Sequence, residues 1–239
     1  MRVVVSLGGS VLAPGLDHSR VEAHAAAIER LVEAGWTVGV VVGGGGTARE
    51  YIDTARSLDA NEIELDEMGI AVTRLNARLL IAALDDLAAP VPAETYDDAK
   101  AALRRGDVAV MGGVMPGQTT DAVSAALAEF VEADLLVYAT SVPGVYDADP
   151  NEDEAATRFD RMTAGELVDV IVDTEMTAGA SAPVDLLAAK LIERSRMRSI
   201  VLEGTDPTAL VDAVLEGDHG GTDVVPEGSD ATVQAWEDR

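Results

Sequence analysis

The residues best suited to chemistry in this chain are glycines, hydroxyls and one carboxylate, gathered in four short stretches. Gly8-Gly9-Ser10 follows the apolar run RVVVSL, and Gly43 to Gly46 follow VGVVV. "MGGVMPGQTTDA" (111–122) and "TSVPGVYDADP" (140–150) each follow a further apolar run. Glycine after a strand lets backbone N–H groups approach a phosphate, and a helix starting there adds its positive end. One Gly-Gly after a strand is also an ordinary turn. Four such stretches, each at the end of an apolar run, point instead to a phosphate-handling cleft that does without lysine. In QTTDA, Thr119, Thr120 and Asp121 stand where a helix N-cap belongs. A cap uses one of them; two hydroxyls and a carboxylate exceed that need.

Two standard phosphate loops are excluded by the same residues. Gly43-x-Gly45-x-x-Ala48 fits the dinucleotide fingerprint G-x-G-x-x-G/A. That fingerprint belongs on the first strand, with an acidic residue about twenty positions on at the end of the next strand. Here the first strand carries SLGGS, and Glu62, Glu64 and Asp66 open a long helical segment. No G-x-x-x-x-G-K-[ST] occurs, so a P-loop is absent as well.

The elements that must position these residues alternate along the chain between strand-like apolar runs and helix-like stretches. Strands are expected over 2–7, 37–42, 89–92, 107–111, 134–139, around Phe159, over 199–203 and 222–225. Helices are expected over 18–34, 47–58, 64–84, 97–105, 120–132, 164–171, 185–195 and 207–215. In the long helix the apolar spacing runs through Ile70, Leu75, Leu79 and Ile81. If the glycine-bearing strands are parallel, all four loops gather at one sheet edge, where open α/β folds bind ligands. No linker or repeat interrupts the pattern, so residues 1–225 read as one domain. The acidic stretch 226–239 reads as a flexible tail.

Composition agrees with an α/β sheet covered on both faces. Hydrophobic residues make up 48% of the 239 and aromatics only 3%, so the core must be Val, Leu, Ile and Ala. The formal charge of −26 disfavours a nucleic-acid or anionic-membrane partner. Fifteen of the seventeen cations are arginine; the lysines are Lys100 and Lys190. Such an acidic, lysine-poor surface is tolerated where concentrated salt screens its self-repulsion, so a halophilic source is expected. With no cysteine, disulfides, thiolate metal sites and cysteine nucleophiles are excluded. The opening MRVVVSL lacks the flanks of a signal peptide, and no apolar run nears the ~18 residues of a membrane span. A soluble cytoplasmic protein is expected.

In this order the loops resemble the amino acid kinase family, and within it the archaeal uridylate kinase branch. The resemblance rests on LGGSVL (7–12), VVGGGGTAREYI (41–52) and DEMGIAVTRLNARLLIAAL (66–84). It continues through MGGVMPGQTTDAVSAALAEF (111–130), ADLLVYATSVPGVYDADP (133–150), LLAAKLIERS (186–195) and GDHGGTDV (217–224). It covers all but the last dozen residues. The implied fold is a three-layer α/β/α sandwich around a mainly parallel sheet. The implied reaction moves the γ-phosphate of ATP to UMP, with Mg²⁺, in pyrimidine nucleotide synthesis, and the implied assembly is a homohexamer. The N-terminal half would hold UMP and residues from about 120 to 225 would hold ATP.

Residue by residue, the resemblance assigns Gly9, Ser10, Gly45 and Arg49 to the ATP phosphates, and Thr140, Tyr146 and Asp149 to adenosine. Gly44, Asp66 and the loop Val114, Met115, Pro116, Gly117, Gln118, Thr119 and Thr120 would hold UMP. Asp121 matches the family's aspartate that organises the catalytic groups. Where many members carry a lysine, two residues before the first Gly-Gly, this chain has Ser6, as does the archaeal branch. Mg²⁺, Arg49 and Lys190 are the remaining sources of positive charge. Glu62 stands near where bacterial members place a phosphate-contacting arginine. His18 and His24 are expected at the surface, and no catalysis is assigned to His219. Kinases of isopentenyl phosphate, carbamate or acetylglutamate are same-fold alternatives. The loop Gly46-Thr47-Ala48-Arg49 lacks the histidine that isopentenyl phosphate kinases place there. A non-catalytic nucleotide sensor or storage protein is the alternative from another class.

Overall fold

The computed structural model describes residues 1–148, 150, 153, 155–175 and 184–229. Among these, seven strands join one sheet: β1 (Arg2–Leu7), β2 (Thr37–Val42), β3 (Ala109–Met111), β4 (Leu135–Thr140), β5 (Arg161–Thr163), β6 (Ser199–Glu203) and β7 (Thr222–Val225). Their order is β3-β2-β1-β4-β6-β7-β5. All neighbours are parallel except β6 and β7. From β1 the chain builds outward through β2 and β3, then returns to place β4 on the other side of β1. The switch point of the sheet therefore lies between β1 and β4, where a ligand crevice belongs.

Strand alternation assigns each side chain to a face. Val3, Val5 and Leu7 of β1 pack with α2 (His18–Glu33), α4 (Glu62–Leu84) and α9 (Pro207–Leu215) in one buried cluster. Val4 packs in a second cluster with α5 (Tyr96–Arg105), α6 (Thr120–Phe130), α7 (Ala164–Glu175) and α8 (Leu186–Ser195). Ser6 shares its parity with Val4, and that puts its hydroxyl on the α6 side. The two remaining helices, α1 (Gly9–Leu12) and α3 (Gly45–Arg56), start from the glycine loops themselves. No helix among the described residues is long and apolar enough to cross a membrane.

Local chemistry explains most boundaries. Asn61 and Glu64 form a capping box that starts α4 two residues earlier than its apolar periodicity suggests. Thr95 and Asp98 do the same for α5, which ends on Gly106 in the left-handed region at φ 92°. The strand expected over 89–92 does not form. Pro90 and Pro92 have no N–H to donate, so this stretch attaches through single bonds, Ala89 N–H to Val108 O at 3.0 Å and Ala93 N–H to Val110 O at 2.8 Å. The strand expected near Phe159 lies at Arg161–Thr163, and α7 runs to Glu175.

Two expectations about faces are corrected. In α4 the buried stripe is Leu65, Val72, Thr73, Asn76, Ala77, Leu80 and Leu84, whereas Leu75 and Leu79 are exposed. The helix turns Thr73 and Asn76 inward because polar groups of the glycine loops wait there. His24 is not at the surface: it is 1% exposed, under α1. Burial, then the nearby Arg20, pull its imidazole down to about 4, while the Val11 backbone and Asp206 oppose. The folded state then binds fewer protons than the unfolded chain, so this group's contribution is complete above about pH 6.5 and is lost as pH falls towards 4. His24→Leu should remove about 2–3 kcal/mol of the stability difference between pH 7.5 and pH 4.5. Denaturant titrations of both proteins at the two pH values check it; equal pH slopes would contradict the burial argument.

Candidate functional site

The loops after β1, β2, β3 and β4 meet at the carboxyl edge of the sheet, and two of them are pressed together backbone to backbone. A Cβ on Gly9 would overlap Gly43 O and Gly45 N, and would lie 2.5 Å from Gly44 C. A Cβ on Gly45, whose φ is 63°, would lie 2.5 Å from Gly9 C and 2.6 Å from Ser10 N. Glycine is therefore required for the two loops to form one floor. The opening amides of α1 and α3 have no carbonyl one turn earlier to bond, so the floor is rich in N–H donors. Arg49 reaches across it, its Nη2 donating to Ser10 Oγ at 3.3 Å.

From beneath, α4 pins the floor and the next loop. Asn76 Nδ2 donates to Gly43 O at 2.9 Å and to Gly44 O at 3.2 Å. Thr73 Oγ1 accepts from Gly113 N at 2.8 Å and donates to Ile70 O at 2.7 Å. A Cβ on Gly112 would meet that hydroxyl at 2.5 Å. Arg74 Nε donates to Gly113 O at 3.2 Å. One turn into the helix, Asp66 Oδ2 accepts from Gly117 N at 2.7 Å, and Gly117 has φ 77°. Asp66 thus holds the tip of the 113–118 loop. Met115 is exposed, Val114 and Pro116 are half-buried, and Gln118 accepts from Tyr96 Oη at 3.4 Å.

Two carboxylates stand at the start of α6 and α8. Thr119 caps α6, accepting from Ala122 N at 3.1 Å, and its hydroxyl also donates to Asp185 Oδ2. Asp185 in turn caps α8 by accepting from Ala188 N at 3.0 Å. Asp121 Oδ1 accepts from Ser6 Oγ at 3.2 Å, and Tyr138 Oη donates to the Asp121 carbonyl at 3.1 Å. Asp121 sits in the first turn of α6, where the helix end offers a carboxylate about 0.3–1 kcal/mol. Desolvation outweighs that: burial, with Asp185 adding like charge, pushes the Asp121 carboxyl up to about 7, and the Ser6 bond only partly opposes. With serine at position 6, this carboxylate has no cationic neighbour there. Thr120 opens α6 and its carbonyl accepts from Ser124 Oγ at 2.7 Å.

Across the switch point, Thr140 ends β4 and its hydroxyl is turned into its own loop, bonded to Val142 N at 3.0 Å and Val142 O at 2.9 Å. Tyr146 is half-buried and bridges in antiparallel fashion to Arg158. Asp149 lies outside the described residues. Lys190 is exposed on α8 and pairs with Glu193 at 2.9 Å, and no bond joins it to the Asp121 cluster among the described residues. His219 is half-buried, its Nδ1 accepting from Gly221 N at 3.3 Å. The structure thus unites Gly9, Ser10, Gly45 and Arg49; it joins Asp66 to Gly117, and Gly44 to Asn76 of the same helix; and it brings Thr119 and Asp121 together with Asp185. Sequence reasoning missed Thr73, Arg74, Asn76, Tyr138 and Asp185. The available signals were two polar residues three apart on an apolar helix, and an aspartate directly before LLAAK.

Comparisons with known proteins agree with this arrangement. The sequence profile of the amino acid kinase family matches residues 1–203. A uridylate kinase of Halobacterium salinarum is 71% identical over 238 residues, covering 100% of this chain and 99% of that protein. The crystal structure of uridylate kinase from Archaeoglobus fulgidus superposes with a TM-score of 0.84 at 44% identity, over 94% of this chain and 100% of that one. The UMP kinase of Bacillus anthracis shares the fold, with a TM-score of 0.78 at 23% identity over 96% of each chain. A loop-built cleft on a seven-stranded sheet, a profile match over most of its length and full-length likeness to a family member mean that this chain belongs to the amino acid kinase family.

Proposed function

We propose that this chain is a UMP kinase, transferring the γ-phosphate of ATP to UMP to give UDP and ADP. The observation that carries the reading is the shared glycine floor, reached by Arg49 at Ser10 and pinned by α4, the helix whose Asp66 holds the 113–118 loop. Phosphoryl transfer between two anions needs alignment and charge neutralisation more than covalent help. A floor of backbone N–H groups reached from both sides supplies the alignment. Gly9, Ser10, Gly45 and Arg49 hold the ATP phosphates; Thr140, Tyr146 and Asp149 hold adenosine. Gly44, Asp66 and residues 114–120 hold UMP, with Asp66 accepting from ribose hydroxyls. Residues 1–225 act as one domain, UMP on the N-terminal half and ATP on the rest.

Asp121 orients the groups around the transferring phosphate, and Asp185 holds Thr119 and the start of α8 in register with it. Two neighbouring carboxylates with one pushed up to about 7 form a hard-oxygen donor set suited to a divalent cation. Mg²⁺ fits there and would neutralise phosphate charge. Lys190 enters only as a cation on the helix that Asp185 caps, its ammonium engaged by Glu193. Copies associate as a homohexamer in the cytoplasm. Met68, Leu75 and Leu79, exposed along one side of α4, support self-association.

The test is ADP release with UMP, CMP and isopentenyl phosphate as acceptors, from dilute buffer to multimolar salt. UMP should react at least tenfold faster than the others, with activity rising as salt screens the −26 charge. Turnover of another acceptor without UMP would overturn the assignment, and equal folding and rate at all salt levels would overturn the halophilic reading.

A further inference from the structure

The stretch GDHGGT (217–222) belongs to no part of the cleft described above, yet it is built into the root of the loop that follows β4. Thr222 is fully buried. Its Oγ1 accepts from Val145 N at 2.9 Å and donates to Phe159 O at 2.5 Å. Val145 and Phe159 are themselves bonded, Phe159 N to Val145 O at 2.9 Å. One hydroxyl therefore ties together both ends of the segment that bears Tyr146. Gly144 rests directly on this hydroxyl: with φ 150°, a Cβ there would lie 2.6 Å from Thr222 Oγ1 and 2.9 Å from Arg158 Cδ.

Arg158 fastens the same root to the GDHGGT turn. Its Nη1 donates to Gly220 O, and its Nη2 pairs with Asp160 at 2.7 Å. The turn is itself packed into the sheet. A Cβ on Gly221 would press into Val201 O of β6, and Asp223 is locked to Arg198 by a buried two-point pair at 2.9 and 2.6 Å. Leu136 N of β4 bonds to Arg198 O at 3.1 Å, which continues the brace into the strand that ends at Thr140.

We infer that Thr222 is a positioning residue for the donor nucleotide, setting the loop after β4 against the C-terminal turn so that the Tyr146 segment is preformed before ATP binds. The inference rests on the proposal that this loop receives ATP. A serine or threonine hydroxyl is needed because the site presents one N–H and one carbonyl, and only a group that both accepts and donates satisfies the two. Valine has the same shape and leaves both unpaired in a buried place.

The experiment compares wild type with Thr222→Val and Thr222→Ser, measuring KM for ATP, KM for UMP, kcat, and ATP affinity by calorimetry. Thr222→Val should raise KM for ATP and the calorimetric Kd by about tenfold, with KM for UMP and kcat within twofold of wild type. Thr222→Ser should restore ATP binding. Gly144→Ala, which crowds the same hydroxyl without removing it, should weaken ATP in the same selective way and serves if Thr222→Val does not fold. Unchanged ATP affinity in Thr222→Val, or an equal rise in both KM values, would overturn the inference. If wild type binds ATP but does not turn over UMP, the acceptor assignment fails, and the role of Thr222 is still decided by the calorimetric Kd alone.

Discussion

Asp121→Asn is expected to lower kcat by about a thousandfold or more while changing ATP affinity by no more than a few-fold. The substitution keeps the shape and the hydrogen bond from Ser6, so the floor and the α6 cap stay in place. It removes a carboxylate beside Asp185, at a point where Ser6 rather than a cation is the neighbour. Wild type carries its own signature of this group. With the carboxyl pushed up to about 7, kcat/KM should rise with pH through that region, and the Asn variant should lack the rise. Stability must move the other way. A carboxyl raised in the folded state makes the folded protein bind more protons than the unfolded chain, so wild type loses stability as pH climbs from about 4 towards 7. The Asn variant should therefore melt above wild type at pH 8, with the gap closing near pH 4. A loss of rate below tenfold, or a retained pH rise, would remove Asp121 from its role. A silent binding protein would have no rate to lose.

Gly9→Ala is expected to disable the donor end of the cleft and to lower the melting temperature by roughly 10 °C. The added methyl would have to enter the backbone of Gly43 to Gly45, which has no flexible side chain to yield. The loops must separate, so KM for ATP should rise by at least about tenfold in whatever protein folds. Gly46 is the control. It lies in the same run of four, but a Cβ there meets nothing within 4 Å. Gly46→Ala should melt at or slightly above wild type, since alanine is the better helix former. If both variants melt alike, the run acts as a flexible loop and the packed floor is wrong.

Much of the architecture was legible because its causes are local. Apolar strand runs and the helix N-cap in QTTDA, which falls on Thr119, are each decided within a few residues. The four glycine-bearing turns could be placed at one edge on the single assumption of parallel strands, which the register of β1 to β4 bears out. What misled was periodicity in α4. Leu75 and Leu79 looked like core, yet they are exposed, and the buried side carries Thr73 and Asn76. Hydrophobicity cannot reveal that a helix faces loop carbonyls and amides that need partners. His24 failed in the same way: nothing in its neighbours along the chain tells that α1 covers it.

The residues by themselves gave the expectation that phosphate is met by glycine backbone, since the chain has no Walker loop and only two lysines in all. They also determined an aliphatic α/β sheet covered on both faces, because a 3% aromatic chain with continuous Val-rich runs can bury itself in few other ways. Tertiary structure alone decided why Gly9, Gly43 and Gly45 must all be glycine: they meet each other across the floor. It alone decided that Asp121 sits between Ser6 and Asp185, residues 115 positions before it and 64 after. Such pairings depend on strand order and on which side of a sheet a residue faces. The Asp121 carboxyl takes its charge state from desolvation and from a neighbour brought there by the fold, and neither is written in the spacing of the residues around it.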